Sequence, residues 1–242
     1  MKIAIDIGNT QIKIGVFDDK KIIYNSNFNN EDEISKHLQN IKKLGPKISI
    51  ISSVVPILTK KYEKIIKENF RIESFIINHT NCNINLNVPQ PETVGADRIC
   101  NVAATLKLYT RPSLIIDFGT ATTYDVVNNQ KSFIGGVIAP GIKTSGEFLI
   151  QKAALLNKTA LIFPKKVIGE NTEENIQSGI MYGAIDQIEG MINRINNETQ
   201  IKNNIILTGG FSKLISPKLS IKHTIDTDLT LKGMLFIYEA NN

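Results

Sequence analysis

The stretch LIIDFGTATTYDVV, residues 114–127, decides the fold, because a closely similar stretch, IAIDIGNTQIKIGVF, occupies residues 3–17. Each has an apolar run, then Asp-x-Gly, then hydroxyl and amide residues, and then a second alternating run. Alternation of apolar and polar residues on both sides of a short polar turn predicts a β-hairpin. The two aspartates, Asp6 and Asp117, are separated by almost half of the chain, which indicates a duplicated unit.

The rest of the chain supports this duplication. After each predicted hairpin, short apolar strands alternate with helical patterns, which is typical of an α/β fold. The break Arg111-Pro112-Ser113 precedes the second hairpin. We therefore expect two α/β domains, residues 1–112 and 113–242, with a cleft between them.

Helical spacing of apolar residues predicts helices over 31–43, 143–155 and 173–196. The last of these carries one long apolar stripe, which we assign to the core by default. The glycines and proline of GGVIAPGI predict a turn over 135–142.

Composition narrows the class of protein. The chain is 42% hydrophobic and 21% charged, which is ordinary for a globular protein, and it has no apolar run of membrane-spanning length. The net charge of +5 comes from scattered lysine pairs rather than from one basic stripe. The start of the chain already follows a strand pattern, unlike a secretory signal. We expect a cytoplasmic protein that binds neither nucleic acid nor membrane.

The repeated turn has a plausible chemistry. Glycine lets the backbone approach a ligand closely, and successive N–H groups with threonine hydroxyls form an anion-binding concavity. A carboxylate at the strand end can hold a cation beside that anion. Two such turns could grip the phosphates of one nucleotide. A single copy is more often only a turn, because Asp, Asn and Thr favour turns for local reasons, but two equivalent copies favour a function.

The ordered set of motifs carries a family resemblance. The motifs are DIGNTQIKIG, SSVVP, GADR, DFGTATT, GGVIAPG, IGENTEENIQSG and ILTGGFS. Their order and spacing over nearly the whole chain resemble the type III pantothenate kinases of the acetate and sugar kinase/heat-shock/actin superfamily. The resemblance implies two duplicated ribonuclease-H-like, actin-like domains with a nucleotide cleft between them. It also implies a homodimer that uses ATP with Mg²⁺ to convert pantothenate to 4′-phosphopantothenate, the first step of coenzyme A biosynthesis.

The resemblance implies a nucleotide side of the site. Asp6 would lie near the divalent metal, and Asp117 would bind a monovalent cation, K⁺ or NH₄⁺. The residues implied in ATP binding are Asp6, Ile7, Gly8, Asn9, Thr10, Gln11, Ile12, Lys13 and Thr120. Lys13 also suits an ordinary surface position on its strand. The Thr208-Gly209-Gly210 turn fits either an adenosine-side motif or a plain strand-to-helix turn.

The motif GADR implies the acceptor side. Asp97 matches the catalytic base of the family, and Gly95, Ala96 and Arg98 match its pantothenate contacts. An arginine can bind a carboxylate through two parallel hydrogen bonds, and pantothenate carries a carboxylate. The alternative is that Asp97 only opens a helix, where the dipole favours a negative charge. That position predicts a lowered pKa for the Asp97 carboxyl.

Val88 and Thr172 are the two remaining candidate substrate contacts. Val88 stands where the family often has a tyrosine that contacts pantothenate, which leaves open a kinase of the same fold with another acceptor. Thr172 matches a threonine that the family supplies from the partner subunit. As an alternative, Asn171 and Glu174 form the spacing of a helix capping box at this point. A non-catalytic regulatory relative is a second alternative function, against which the intact aspartates argue.

Overall fold

A computed structural model describes residues 1–29, 34–152 and 159–242. The described chain forms two compact units. The first contains residues 1–110, 129–134 and 228–242, and the second contains residues 111–128 and 135–227. The predicted α/β class is confirmed, with two sheets and helices between the strands. The domain bounds of 1–112 and 113–242 stay a prediction about the duplicated halves.

The strands and helices are numbered in chain order. The strands are β1 (Lys2–Ile7), β2 (Ile12–Asp18), β3 (Lys21–Phe28), β4 (Ile48–Ser53), β5 (Ser74–Ile76), β6 (Asn85–Leu86), β7 (Ser113–Phe118), β8 (Ala121–Val127), β9 (Ser132–Pro140), β10 (Asn204–Gly209) and β11 (His223–Ile225). The helices are α1 (Ile34–Leu44), α2 (Pro56–Phe70), α3 (Ala96–Leu108), α4 (Ile142–Lys152), α5 (Thr172–Thr199), α6 (Ser212–Ile215) and α7 (Leu229–Ala240). Among the described helices, none is long and apolar enough to cross a bilayer.

The first unit is built on a sheet of order β3-β2-β1-β4-β5. Strand β1 pairs antiparallel with β2 and parallel with β4. Its side chains alternate between two faces, as strand geometry requires. Ile3 and Ile5 join one buried cluster with residues of α1 and α2. Ala4 joins the other with residues of α3 and α7. The sheet is therefore covered by helices on both faces.

The second unit repeats this pairing. Strand β7 pairs antiparallel with β8 and parallel with β10, as β1 does with β2 and β4. Read from the other edge, the order β9-β8-β7-β10-β11 corresponds strand by strand to β3-β2-β1-β4-β5 of the first sheet. The buried stripe of α5, including Met181 and Ile188, packs with Leu114 and Leu207 of this sheet. The stripe therefore belongs to the core, as predicted.

Strand β6 is an edge strand beside β9. Asn85 pairs in parallel with Ser132, and Leu86 with Phe133, all within the first unit. The chain of β9 continues to Pro140, so the turn predicted over 135–142 is wrong. Gly135 takes a positive φ of 119° inside the strand, and the proline stands at the strand end, where its missing N–H is tolerated.

The other helix predictions agree with the structure where residues are described. Helix α1 occupies Ile34–Leu44, and the predicted residues 31–33 lie outside the described chain. Helix α4 occupies Ile142–Lys152, and the predicted residues 153–155 also lie outside it. Helix α5 begins at Thr172, one residue before the prediction, and extends to Thr199.

Candidate functional site

Asp6 stands near the end of β1, between two neighbouring strands. It is opposite Lys13 of β2 and Ser52 of β4 in the sheet register. The Ser52 hydroxyl donates a hydrogen bond to Asp6 Oδ1 over 2.8 Å. Since Ser52 is fully buried, this bond fixes the orientation of the Asp6 carboxylate.

The first polar turn follows Asp6 directly. The Gly8 N–H donates to the Gln11 carbonyl over 3.0 Å, which closes the turn. Asn9, Thr10 and Gln11 are exposed. Ile7 and Ile12 flank the turn, and their side chains are buried in the core. The two isoleucines can therefore serve a ligand only through their backbone.

Lys13 is not an ordinary exposed surface residue. Its Nζ lies 2.9 Å from Asp228 Oδ1, and only 16% of its side chain is exposed. Asn25 Nδ2 donates to the same oxygen over 2.7 Å. Burial raises the pKa of the Asp228 carboxyl, but Lys13, Asn25 and Lys232 together lower it below its usual value. The lysine is held beside the N-terminus of α7.

The second polar turn is built in the same way within its own unit. Asp117 is opposite Thr123 of β8 and Thr208 of β10. Thr120 is exposed at the tip of the turn. Its carbonyl accepts hydrogen bonds from the Gly141 N–H over 3.0 Å and from the Thr144 hydroxyl over 2.7 Å. The start of α4 thereby fixes this turn.

Gly209 is required beside Asp117. Its φ of 84° lies in the left-handed region. A Cβ atom at this position would overlap Asp117 Oδ1 and lie 2.5 Å from the Phe118 backbone nitrogen. Only glycine satisfies both conditions. The turn Thr208-Gly209-Gly210 is therefore shaped around the Asp117 carboxylate.

The GADR motif lies at the N-terminus of α3. Gly95 is the N-cap residue, and a Cβ atom there would lie 2.6 Å from Asp97 Oδ1. The Arg98 N–H donates to the same oxygen over 2.8 Å. Ala96 is buried. Glycine therefore makes room for the aspartate to fold back over the start of the helix.

Burial sets the direction of the Asp97 pKa shift. It raises the pKa of the carboxyl above its usual value, and this exceeds the lowering by the Arg98 backbone N–H and the Arg98 charge. The lowered pKa expected from the helix N-terminus is therefore wrong. The reason is that the dipole and hydrogen bonds act on a carboxylate that has lost most of its water.

The remaining acceptor-side residues lie in the same unit. The Arg98 guanidinium carbon lies 5.4 Å from the ring centroid of Phe133 in β9. Val88 is partly buried and follows β6 by two residues. Both residues are thus tied to the β6–β9 edge.

Thr172 is the exposed first residue of α5. The predicted cap is present: Asn171 Oδ1 accepts from the Glu174 N–H over 3.0 Å. Glu174 Oε2 in turn accepts from the Glu170 N–H. The alternative interpretation of this motif as a helix cap is therefore confirmed, and it leaves the Thr172 side chain exposed for another contact.

Sequence reasoning missed two residues of this region. Ser52 belongs to the motif SSVVP, but only the parallel register of β1 and β4 reveals that it faces Asp6. Phe133 carries no local signal, because its contact with Arg98 is distant in sequence.

Cys100 lies in α3 close to the site. It is fully buried, and burial with the charges of Asp6 and Asp97 raises the pKa of its thiol well above the usual value. A fully buried cysteine of this kind is typical of the core rather than of a reactive site.

The two candidate cation ligands fit different ions. In the described part of the chain there is no group of three or more His, Cys, Asp or Glu side chains that could hold a metal. A single oriented carboxylate, Asp6, suits Mg²⁺, which is usually held by one or two carboxylates together with phosphates of the substrate. At Asp117 the Gly209 backbone approaches so closely that no side chain fits there, and a larger ion bound by oxygen atoms stays the expectation that the family resemblance gives.

Comparison with known proteins identifies relatives of the chain. A family model described as type III pantothenate kinase matches residues 2–194. A relative from Halalkalibacterium halodurans, named type III pantothenate kinase, is 37% identical over 253 residues and is covered completely, as is this chain.

Two solved structures share the fold. One is a Campylobacter jejuni protein described as a Baf family transcriptional activator, with a TM-score of 0.65, 20% identity and coverage of 99% of this chain and 98% of that one. The other is a Sinorhizobium meliloti protein described as a 2-dehydro-3-deoxygalactonokinase, with a TM-score of 0.61, 11% identity and coverage of 99% and 96%. At these identities the likeness concerns the fold alone.

Proposed function

This chain belongs to the type III pantothenate kinase family, and from that premise we propose how its residues divide the work of the reaction. The protein transfers a phosphoryl group from ATP to pantothenate in coenzyme A biosynthesis, and ATP acts together with a divalent metal. One observation carries the residue assignment. Asp97 and Arg98 are adjacent in the first turn of α3, and the Arg98 N–H donates to Asp97 Oδ1 over 2.8 Å.

Asp97 is the catalytic base. Phosphoryl transfer passes through a loose transition state, so the base mainly orients the attacking hydroxyl and accepts its proton late. A carboxyl whose pKa is raised by burial holds a proton better than an ordinary surface carboxyl does. Gly95 supports this role, because a side chain there would displace Asp97 Oδ1.

Arg98 binds the carboxylate of pantothenate. The planar guanidinium presents parallel donors that match a carboxylate. Gly95 has no side chain and that of Ala96 is small, so the acceptor can approach the backbone beside Arg98. Val88 contributes an apolar contact where the family often has a tyrosine hydroxyl. The acceptor is thus held at its carboxylate end while Asp97 faces the hydroxyl end.

The first polar turn binds the ATP phosphates. Backbone N–H groups and the exposed side chains of Asn9, Thr10 and Gln11 provide donors, and Thr120 of the second turn provides another contact. Asp6, fixed by Ser52 over 2.8 Å, holds Mg²⁺, which neutralises phosphate charge when bound. Lys13 lies at the base of the turn, where Asp228 holds its ammonium group, and would contact the phosphates by exchanging that partner.

Asp117 binds a monovalent cation, K⁺ or NH₄⁺. We expect the wild-type rate to fall by roughly tenfold when potassium is replaced by sodium, since sodium is smaller and holds its water more tightly, and about 1.4 kcal/mol of lost transition-state stabilisation is a factor of ten. Asp117→Asn is expected to be as slow in potassium as in sodium. ADP release in matched chloride buffers measures both. The matched control is Asp186→Asn on exposed α5 surface, and an Asp117→Asn variant that still responds to potassium would refute the assignment.

Thr172 completes the site of the partner subunit in a homodimer. Asp97→Asn and Thr172→Ala chains, co-expressed and purified together without separating the mixed dimers from the two parents, test this directly. Random pairing is expected to restore about a quarter of wild-type activity, because half of the sites in mixed dimers regain both residues. If Thr172 serves its own subunit, the mixture shows no more than the average of the two parents.

The overall function is tested by product identification. The protein is incubated with ATP and Mg²⁺, with and without pantothenate, and ADP and 4′-phosphopantothenate are quantified by mass spectrometry. Equal amounts of both products, formed only with pantothenate, are expected. ADP formation that ignores pantothenate would contradict the acceptor assignment and would point first to Val88.

A further inference from the structure

Phe133 connects the two acceptor-side segments of the first unit. It lies in β9, is 1% exposed, and belongs to no motif that the family resemblance uses. Its ring lies under the Arg98 guanidinium at 5.4 Å. Its backbone pairs with Leu86 of β6. One residue therefore contacts both the start of α3 and the segment that leads to Val88.

The Phe133 ring restricts the orientation of the Arg98 guanidinium. An arginine side chain has several rotatable bonds, so an unsupported guanidinium loses considerable conformational entropy when it binds a carboxylate. A cation within about 6 Å of an aromatic face is attracted to the ring quadrupole. A guanidinium held over a ring keeps its in-plane N–H donors for a ligand. Phe133 itself is 1% exposed, so the surrounding packing holds its ring.

The backbone of Phe133 acts on the other segment. Its carbonyl accepts a hydrogen bond from the Asn87 N–H over 2.8 Å, directly before Val88. Asn85 Nδ2 donates to the Ser132 hydroxyl over 2.8 Å and reinforces the same edge. The segment carrying Val88 is thereby anchored to the strand whose ring supports Arg98.

We propose that Phe133 is a positioning residue for the acceptor: its ring preorganises Arg98 for the carboxylate of pantothenate, and so gives the site its preference for an acceptor with a carboxylate. The proposal rests on the proposed role of Arg98. The proposal also makes a prediction that distinguishes a positioning residue from a purely structural one. Loss of the ring must weaken recognition of the carboxylate end and leave the nucleotide side unchanged.

The experiment compares two acceptors in four variants of the full-length protein. The acceptors are pantothenate and its alcohol analogue, in which CH₂OH replaces the carboxylate. The variants are Phe133→Leu, which removes the ring but keeps apolar bulk, Phe133→Tyr, which keeps the ring, Arg98→Ala, and Phe17→Leu. Phe17 is a fully buried phenylalanine of the same unit, so its variant controls for the loss of a core ring.

Phe133→Leu is expected to raise KM for pantothenate about 3- to 10-fold and to leave KM for ATP unchanged. The preference for pantothenate over the alcohol, as a ratio of kcat/KM values, should fall by the same factor. Phe133→Tyr should restore both quantities, and Phe17→Leu should leave the preference unchanged. A preference that persists in Phe133→Leu but is lost in Arg98→Ala would overturn the proposal alone. A preference that persists in Arg98→Ala would overturn the role of Arg98, and the proposal with it.

Discussion

Asp97→Asn is expected to lower kcat by about 10²- to 10⁴-fold, the usual contribution of a general base, with little change in KM for pantothenate. Asparagine keeps an oxygen that can accept the Arg98 N–H bond seen at 2.8 Å, but it cannot accept a proton. Initial rates over a range of pantothenate concentrations measure both constants. In the wild type, the acidic limb of the kcat–pH profile should lie above the usual carboxyl range, because burial raises the pKa of Asp97.

The same substitution is expected to stabilise the fold near neutral pH. A carboxyl whose pKa is higher in the folded than in the unfolded protein destabilises the fold once the pH exceeds the unfolded value, because ionisation is then harder in the folded state. The gain should vanish at a pH below the ordinary carboxyl pKa, where both states hold the proton. A lower melting temperature for Asp97→Asn at pH 7 would contradict this expectation, and circular dichroism at the assay temperature then separates misfolding from lost chemistry.

Gly233→Ala is expected to produce the largest loss of stability. Gly233 of α7 packs directly on α3, and a Cβ atom there would overlap the Cys100 carbonyl and lie 2.9 Å from the Cys100 Cα. The neighbouring atoms are backbone and cannot rotate away. Overpacking of this kind costs about 1–3 kcal/mol, which corresponds to a melting temperature lower by about 2–12 °C for a chain of this size. Thermal denaturation followed by circular dichroism measures the shift.

The matched control is Gly190→Ala in α5, where no atom lies within 4 Å of the added Cβ. Alanine is favoured over glycine inside a helix, so this variant should be slightly more stable, by about 0.5–1 kcal/mol. Since Asp97 and Arg98 begin the helix that Gly233 contacts, Gly233→Ala should also reduce kcat/KM for pantothenate. A melting temperature equal to that of the wild type would contradict the close packing of α3 and α7.

The local parts of this fold are readable from sequence. The two hairpins, with Asp6 and Asp117 at the ends of their first strands, follow from alternation and turn residues alone. The start of α3 is visible in the motif GADR. The carbonyl contact of Gly233 with Cys100 is not readable, because it depends on two helices separated by more than half of the chain.

In the candidate site, too, the sequence predicts the local motif but not the contacts that the assembled fold creates. The motif resemblance names Asp97 and Arg98, but burial reverses the expected direction of the Asp97 pKa, and burial is a property of the assembled unit. Ser52 and Phe133 support site residues from neighbouring strands, and only the register of the sheets brings them there. The glycines and proline in the second half of β9 are typical of turns, which is why the pattern predicted a turn over 135–142 where the strand continues to Pro140.

The N-terminus of α3 divides the work on the acceptor between two adjacent side chains, Asp97 and Arg98. The most direct test is to measure kcat and KM for pantothenate in Asp97→Asn and Arg98→Ala side by side, with KM for ATP as the internal control. We predict a fall in kcat alone for the first variant and a rise in KM for pantothenate for the second. Unchanged pantothenate constants in both variants, or changes confined to ATP, would contradict the claim.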